Sequence, residues 1–361
     1  MFKIKTGKLY GGYVHPWGIE YTEKNVKIRK RTLSDLPIFE KLRNKDFKRI
    51  KVLEIGGTGQ DAVAWCELGF DVTYIDLSKK NIIKTKKYAR KKNLTIKAIN
   101  KDFHKMKFKA EEFDIIRSRG VIHHMLAPAQ VFKKIYNILK NGGYFHFNLY
   151  RSGTFYYFFI ESLRKISKFI NINKFYKELM KFKLTKKEDL NFGNPTIRSK
   201  SKFYDIILDD LFVPTLNPAN YYEIKKDLKN FGFKIVRENK IKKRLDHNLL
   251  YPDYPLKKEH IVFDVIKKQT TKKKFKSLYK VSNVESKIIK NIKIYNLSNK
   301  AIMKLIKIVI NKKIYNNKLF LFYFINLYKS CHLLSVSNLT GVQKHIALQK
   351  NVESIIEKFQ N

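Results

Sequence analysis

The sequence predicts an α/β fold, a doubly wound, mostly parallel sheet of seven strands with an inserted cap and a helical C-terminal extension. Three observations carry this expectation. Short apolar runs alternate with longer helical stretches from Lys51 to Asn148, the first run ends in a glycine cluster, and the second ends in an acidic residue, Asp76. Alternation at this spacing builds βαβ units and a parallel sheet. Ligands of such sheets sit beyond the carboxyl ends of the strands, where the strand order reverses.

Residues 1–50 form an N-terminal segment. Its aromatic start (Tyr10, Tyr13, His15, Trp17, Tyr21) reads as a lid over a substrate or as ordinary packing. Ser34, as an N-cap, opens a helix to about Arg43 with Leu36, Ile38, Phe39 and Leu42 on its apolar face. Residues 51–150 form the core. Strands are expected at Lys51–Ile55, Asp71–Ile75, Thr95–Ile99, Phe113–Arg117 and Gly143–Asn148, the last after an Asn141-Gly142-Gly143 turn. Helices are expected at Asp61–Leu68, Ser78–Lys92 and Ala129–Leu139.

Residues 151–217 break the rhythm and read as an insertion or cap that sets acceptor specificity, with turn material at Gly193-Asn194-Pro195. Its Phe155–Phe159 run is either a buried core or a membrane-docking patch, and Asp209-Asp210 either line an acceptor pocket or are solvated. Residues 218–270 close the core with a helix, Pro218–Asn230, that has Pro in its first turn and Gly232 past its end. Strands Phe233–Arg237 and Ile261–Ile266 follow. Residues 271–361 are a basic helical extension, opened by a Lys272-Lys273-Lys274 linker.

At 361 residues and 44% apolar content, the chain can bury a sizeable core. No apolar run reaches the roughly 18 residues of a membrane span, and no signal-peptide segment is present at the start. The two cysteines, Cys66 and Cys331, sit in no metal or redox spacing, which points to a reducing cytoplasm and to no metal. The net charge of +45 attracts polyanions. It is carried mainly by Lys, however, as an AT-rich codon bias produces, whereas nucleic-acid surfaces favour the bidentate Arg.

The chemistry concentrates in VLEIGGTGQDAVAWCELGFDVTYIDLS, residues 52–78. Gly56, Gly57 and Gly59 let the backbone turn sharply and approach a ligand with no Cβ in the way. Asp76 is placed to accept hydrogen bonds from two ribose hydroxyls. Alone, Gly57-Thr58-Gly59-Gln60-Asp61-Ala62 also fits the dinucleotide fingerprint G-x-G-x-x-A, so the loop indicates an adenosine-type cofactor on a Rossmann-like sheet and no more.

Asn-Lys-Asp-Phe at 100–103, FDIIRSRGVIHHM at 113–125 and KNGGYFHF at 140–147 follow in order. With them the run resembles the class I S-adenosylmethionine-dependent methyltransferases, particularly the type 11 small-molecule group that includes quinone-biosynthesis enzymes. The resemblance covers about residues 51–150, more weakly 218–266. It implies that Glu54 helps hold the methionine amino group and that Gly56, Gly57 and Gly59 lie beneath the methionyl and ribose parts. It implies Asp76 on the ribose, Leu77 against the adenine, and Asp102 with Phe103 at the adenine edge. Ser118 to His124 fall near the sulfonium and the substrate, and His123 or His124 is the candidate base where the acceptor must lose a proton. The alternative for both histidines is a structural role. One departure stands out: the family reads E-x-G-x-G-x-G, and here the loop is one residue shorter.

The resemblance implies an S-adenosylmethionine-dependent methyltransferase acting by in-line transfer on a small-molecule or glycan/lipid-type acceptor. Two other readings stay open on the residues themselves. A nicotinamide-dependent oxidoreductase fits the glycine loop but leaves 113–125 unexplained. An RNA-binding methyltransferase or module fits the charge, though there is no aromatic-basic recognition signature and no Asn/Asp-Pro-Pro-Tyr/Phe motif. Peripheral membrane contact is compatible with the composition.

Overall fold

The computed structural model describes residues 22–152, 155–184, 201–238, 260–268, 293–337, 339 and 341–360. They fall into two compact units. The first draws on Met1–Tyr150, Pro214–Ile241 and His260–Lys280, and the second on Arg151–Val213, Lys242–Glu259 and Val281–Asn361. The aromatic N-terminal segment, Gly193-Asn194-Pro195 and Lys272–Lys274 lie outside the described residues.

The first unit is built on a seven-stranded sheet of order β3-β2-β1-β4-β5-β7-β6. The strands are β1 Lys51–Ile55, β2 Asp71–Asp76, β3 Lys97–Asn100, β4 Phe113–Arg119, β5 Leu139–Tyr150, β6 Phe233–Glu238 and β7 His260–Lys267. Strands β1 to β5 pair in parallel, and β7 runs antiparallel to both β5 and β6. The order reverses at β1/β4, which places the switch point at the end of the glycine-bearing strand.

Helices cover both faces, because alternate strand residues are apolar on each side. One face carries Leu53, Ile75, Ile116, Phe145, Phe147 and Phe263, packed by α5 (Pro128–Ile138) and α9 (Tyr221–Phe231). The other carries Val52, Val72, Tyr74, Ile115 and Tyr144, packed by α1 (Glu23–Ser34), α2 (Ile38–Leu42), α3 (Gln60–Glu67) and α4 (Lys79–Lys91). Each fully buried Leu, Ile or Phe contributes about 1.5–3 kcal/mol, so two apolar faces of this size hold the sheet.

Three expectations are corrected. The expected helix at 34–43 is two helices: α1 ends at Ser34 and α2 spans Ile38–Leu42. Ser34 is no N-cap; its hydroxyl donates back to the Lys30 carbonyl, and Pro37, which cannot donate, separates the two helices. The N-cap is Thr22, whose side chain accepts from Asn25 N at 3.2 Å. The closing helix starts at Tyr221, capped by the Asn220 side chain, so Pro218 precedes it. Finally, Asn141–Gly143 do not separate a helix from a strand. They bulge out of β5, whose pairing with β4 jumps from Phe113↔Leu139 to Ile115↔Tyr144.

The second unit is helical: α6 (Phe155–Ser167), α7 (Ile172–Lys181), α8 (Ser201–Phe212), α10 (Lys293–Asn311), α11 (Lys318–Val336) and α12 (Gly341–Gln360). Tyr156, Tyr157 and Phe159 are buried, so these residues of the aromatic run are core. Asp209 and Asp210 are also buried rather than solvated, and Asp210 Oδ2 accepts from the hydroxyls of Tyr156 and, at 2.6 Å, Tyr328. Among the described residues no helix is long and apolar enough to cross a membrane.

Candidate functional site

The site is assembled where β1 and β4 part. After Ile55 the chain turns at Gly56, Gly57 and Gly59, all at positive φ (70°, 82° and 79°). Two of these need glycine for different reasons. A Cβ on Gly56 would lie 2.5 Å from Val121 Cγ1, so the loops after β1 and β4 touch there. A Cβ on Gly57 would meet nothing within 4 Å, which leaves that side of the loop open to a ligand. Gly59 then starts α3 as its N-cap, with no side-chain cap hydrogen bond.

The shorter loop is tied to its neighbours. Gly56 N donates to the Ile75 carbonyl at 2.7 Å. The Gly57 carbonyl accepts from Tyr74 Oη at 3.1 Å and from Asn81 Nδ2 at 3.0 Å.

Glu54 lies beneath this turn, 2% exposed. It accepts from Arg117 Nη1 at 2.9 Å and from Trp65 Nε1 at 3.2 Å. Arg117 also reaches Asp61 Oδ2 at 3.0 Å, so one guanidinium bridges two carboxylates. Burial pushes the Glu54 carboxyl up to about 8 against the pull of Arg117. Burial also works to raise Asp61, but Arg117, Arg29 and Arg119 outweigh it and hold that carboxyl well below its usual range.

Arg117 was not singled out from the sequence, though a signal existed: a charge inside the apolar run Phe113–Ser118 must find a partner once buried. Register supplies that partner. Tyr74, Glu54, Arg117, His146, Asp264 and Arg237 form one continuous row across β2, β1, β4, β5, β7 and β6. In it, His146 Nδ1 donates to Asp264 Oδ1 at 2.7 Å and Arg237 Nε to Asp264 Oδ2 at 2.5 Å.

Asp76 closes β2, half-buried, with Oδ1 accepting from Ser78 N at 2.5 Å. Burial pushes its carboxyl up to about 7. Leu77 follows, exposed, and Asn100 Nδ2 donates to the carbonyls of Asp76 and Leu77 at 3.0 and 2.8 Å, holding the end of β2 against β3. Asp102 is 5% exposed; its Oδ1 accepts from His104 N at 2.9 Å, while its Oδ2 is buried without a hydrogen-bond partner. The Phe103 ring instead belongs to the core, with Lys134 Nζ 4.8 Å from its centroid. Ser118 is fully buried and its hydroxyl donates to the Ile55 carbonyl at 3.3 Å, linking β4 to β1.

The two histidines differ. His123 is fully buried, its ring 3.8 Å from that of Tyr150 in a near-parallel stack. His124 is 8% exposed and its Nδ1 lies 3.0 Å from the Thr215 carbonyl. A carbonyl only accepts, so Nδ1 carries the proton and Nε2 is the basic nitrogen. Both residues are also knitted to the strand-free stretch before α9. Asn217 N donates to the His123 carbonyl at 2.7 Å, and Thr215 Oγ1 donates to that of His124. These contacts span about 90 residues of sequence and have no local signature.

Glu54, the glycine loop, Asp76 and Asp102 thus gather along the carboxyl ends of β1, β2 and β3, with 118–124 following on β4 and its loop. An adenosine-type ligand fits this donor set, since Asp102 Oδ2 is an acceptor lacking a donor and the Gly57 flank is open.

Residues 53–147 match a family model described as a methyltransferase domain. The chain is similar to a ubiquinone biosynthesis O-methyltransferase of Pelagibacter ubique, 31% identical over 186 residues, 49% of this chain and 73% of that protein. A second such protein, from Roseobacter denitrificans, is 30% identical over 98 residues, 27% of this chain and 40% of that protein. A solved magnesium protoporphyrin IX methyltransferase of Synechocystis with bound SAM aligns over 74% of this chain and 99% of that one, at 10% identity and a TM-score of 0.41.

Proposed function

Because the chain belongs to the class I S-adenosylmethionine-dependent methyltransferases, we propose that it methylates a hydroxyl group of a small-molecule acceptor. Family membership sets aside the nicotinamide reading. The O-methyltransferase names of the two relatives support the choice of acceptor atom. The observation that carries the assignment of the cofactor site is the buried, partnerless Oδ2 of Asp102, in the loop that follows β3.

Bound S-adenosylmethionine supplies an electrophilic methyl on a sulfonium, displaced in line by the acceptor. The chain's own residues bind and orient. Glu54, Gly56, Gly57 and Gly59 take the methionyl end, Asp76 accepts from the ribose hydroxyls, and Asp102 accepts from the adenine amine. Leu77, exposed at the end of β2, packs on the base, and Phe103, its ring in the core, contributes backbone alone. Ser118 sets the β1–β4 separation. His124 serves as the base: with Nδ1–H held by the Thr215 carbonyl, Nε2 takes the acceptor's hydroxyl proton. His123 supports it from the Tyr150 stack.

In domain terms, residues 51–150 with 218–270 provide the cofactor core, 1–50 a lid segment, 151–217 the acceptor-selecting part and 271–361 its helical support. The free, buried Cys66 and Cys331 fit a reducing cytoplasm.

Calorimetric titration with S-adenosylmethionine and S-adenosylhomocysteine tests the cofactor site. Micromolar binding is expected, weakened by about 1–3 kcal/mol in Asp76→Ala, which removes a charged acceptor. Unchanged affinity in that variant would refute the ribose assignment.

A further inference from the structure

We propose that α7, with the adjoining exposed tip of α11, is a docking surface for an anionic lipid bilayer. Within the helical unit, α7 presents two apolar faces. Phe175 and Leu179 are fully buried and fasten the helix to its neighbours. Ile172, Tyr176 and Met180, spaced i, i+4 and i+8, form a second stripe that the described residues leave exposed, at 42%, 46% and 51%.

The stripe does not end with the helix. Phe169, just before it, is 44% exposed with its ring 5.8 Å from that of Tyr315, and Asn171 N donates to Asn316 Oδ1 at 2.8 Å. Phe182, just after it, lies 6.1 Å from Phe322. These contacts set α7 against α11, where Leu319 and Phe322 stand 53% and 50% exposed. Six large apolar side chains on adjoining elements exceed the scattered exposure of ordinary surfaces.

Charge selects the occupant. Lys168, Lys177, Lys181 and Lys318 are exposed around the stripe. The only acid on α7, Glu178, is already paired with Lys181 at 2.9 Å. Residues 293–337, which include α10 and α11, contain eight Lys and no Asp or Glu. A second copy of the chain would bring like charge against like charge. A nucleic acid would gain little from exposed Ile172 and Met180. An anionic bilayer takes both parts, the apolar stripe in the acyl boundary and the lysines among the headgroups. The ten-residue α7, about 15 Å long, lies in the interface and does not span it.

The test is co-sedimentation of the full chain with phosphatidylcholine vesicles made with and without phosphatidylglycerol. Binding is expected only with phosphatidylglycerol, with a part that survives high salt. Combining Ile172→Ser, Tyr176→Ser and Met180→Ser should weaken it at least about tenfold, since three apolar side chains leave the acyl boundary. The thermal transition should stay in place, because these side chains are exposed. Lys177→Glu with Lys181→Glu should weaken binding most at low salt. Three results would overturn the proposal: no binding to anionic vesicles, equal binding by the serine variant, or a wild-type dimer that the serine substitutions dissolve.

Discussion

Asp76 and Arg117 show how single residues here answer to burial. Burial holds the Asp76 carboxyl at about 7, and only the ionised form accepts from two ribose hydroxyls. Cofactor affinity should therefore rise with pH from 6 to 8 and fall as pH drops through 7. In Asp76→Asn the step near 7 should vanish, leaving a weaker dependence nearer 8 that belongs to Glu54, whose ionised form favours the ligand's ammonium in the same direction. Titrations at several pH values check both. Among the described residues Arg117 is the guanidinium that touches both Glu54 and Asp61. Arg117→Met leaves Glu54 with Trp65 and Asp61 with the more distant Arg29, and urea unfolding should show a loss of about 3–5 kcal/mol, the usual cost of breaking a buried pair.

At the scale of elements, the contact between the loops after β1 and β4 is the sensitive point. Gly56→Ala places a methyl against Val121 and also strains a left-handed backbone. Adding Val121→Ala removes the two Cγ atoms 2.5 and 2.7 Å from that methyl, so it should recover part of the lost stability and binding. The φ penalty, about 1 kcal/mol or more, should persist. A double-mutant cycle in urea measures the coupling, and strict additivity would contradict the contact. The helix caps work independently of this: Asn220 accepts from Tyr222 N and Glu223 N at 2.9 and 3.2 Å, which starts α9 at Tyr221 despite the nearby Pro218.

Over the whole molecule, two units of different character are joined by repeated passes of one chain. The sheet unit is held by apolar layers on both faces and by the polar row from Tyr74 to Arg237. The helical unit has its own buried polar centre at Asp210, Tyr156 and Tyr328. Ligand binding acts on the first. At about a hundredfold excess over its dissociation constant, S-adenosylmethionine should add about 2.7 kcal/mol to the stability of the sheet unit. Calorimetric scans should show that gain in the transition of wild type and a reduced gain for Asp76→Ala at the same ligand concentration.

Much of the sheet was legible because its signals are local. Alternating apolar runs, the glycines after Ile55, the acid after Ile75 and Gly232 behind α9 each act within a few residues, and the strands lie within a few residues of their expected bounds. The helix at Glu23–Ser34 was missed because few of its residues are apolar and only Val26 and Leu33 are buried. Its placement is reinforced by distant partners, as in the pairs Arg29–Asp61 and Lys30–Glu67. The sequence by itself determined the fold class, the glycine turn and the row of acids at the strand ends, since backbone geometry and strand periodicity act at short range. Only the tertiary structure decided which charges neutralise one another. It also decided that His124 takes its tautomer from Thr215, that Phe103 turns to the core, and that Ile172, Tyr176 and Met180 of α7 stand exposed. Each of these depends on residues brought together from far apart in the chain, and no local pattern encodes such a meeting.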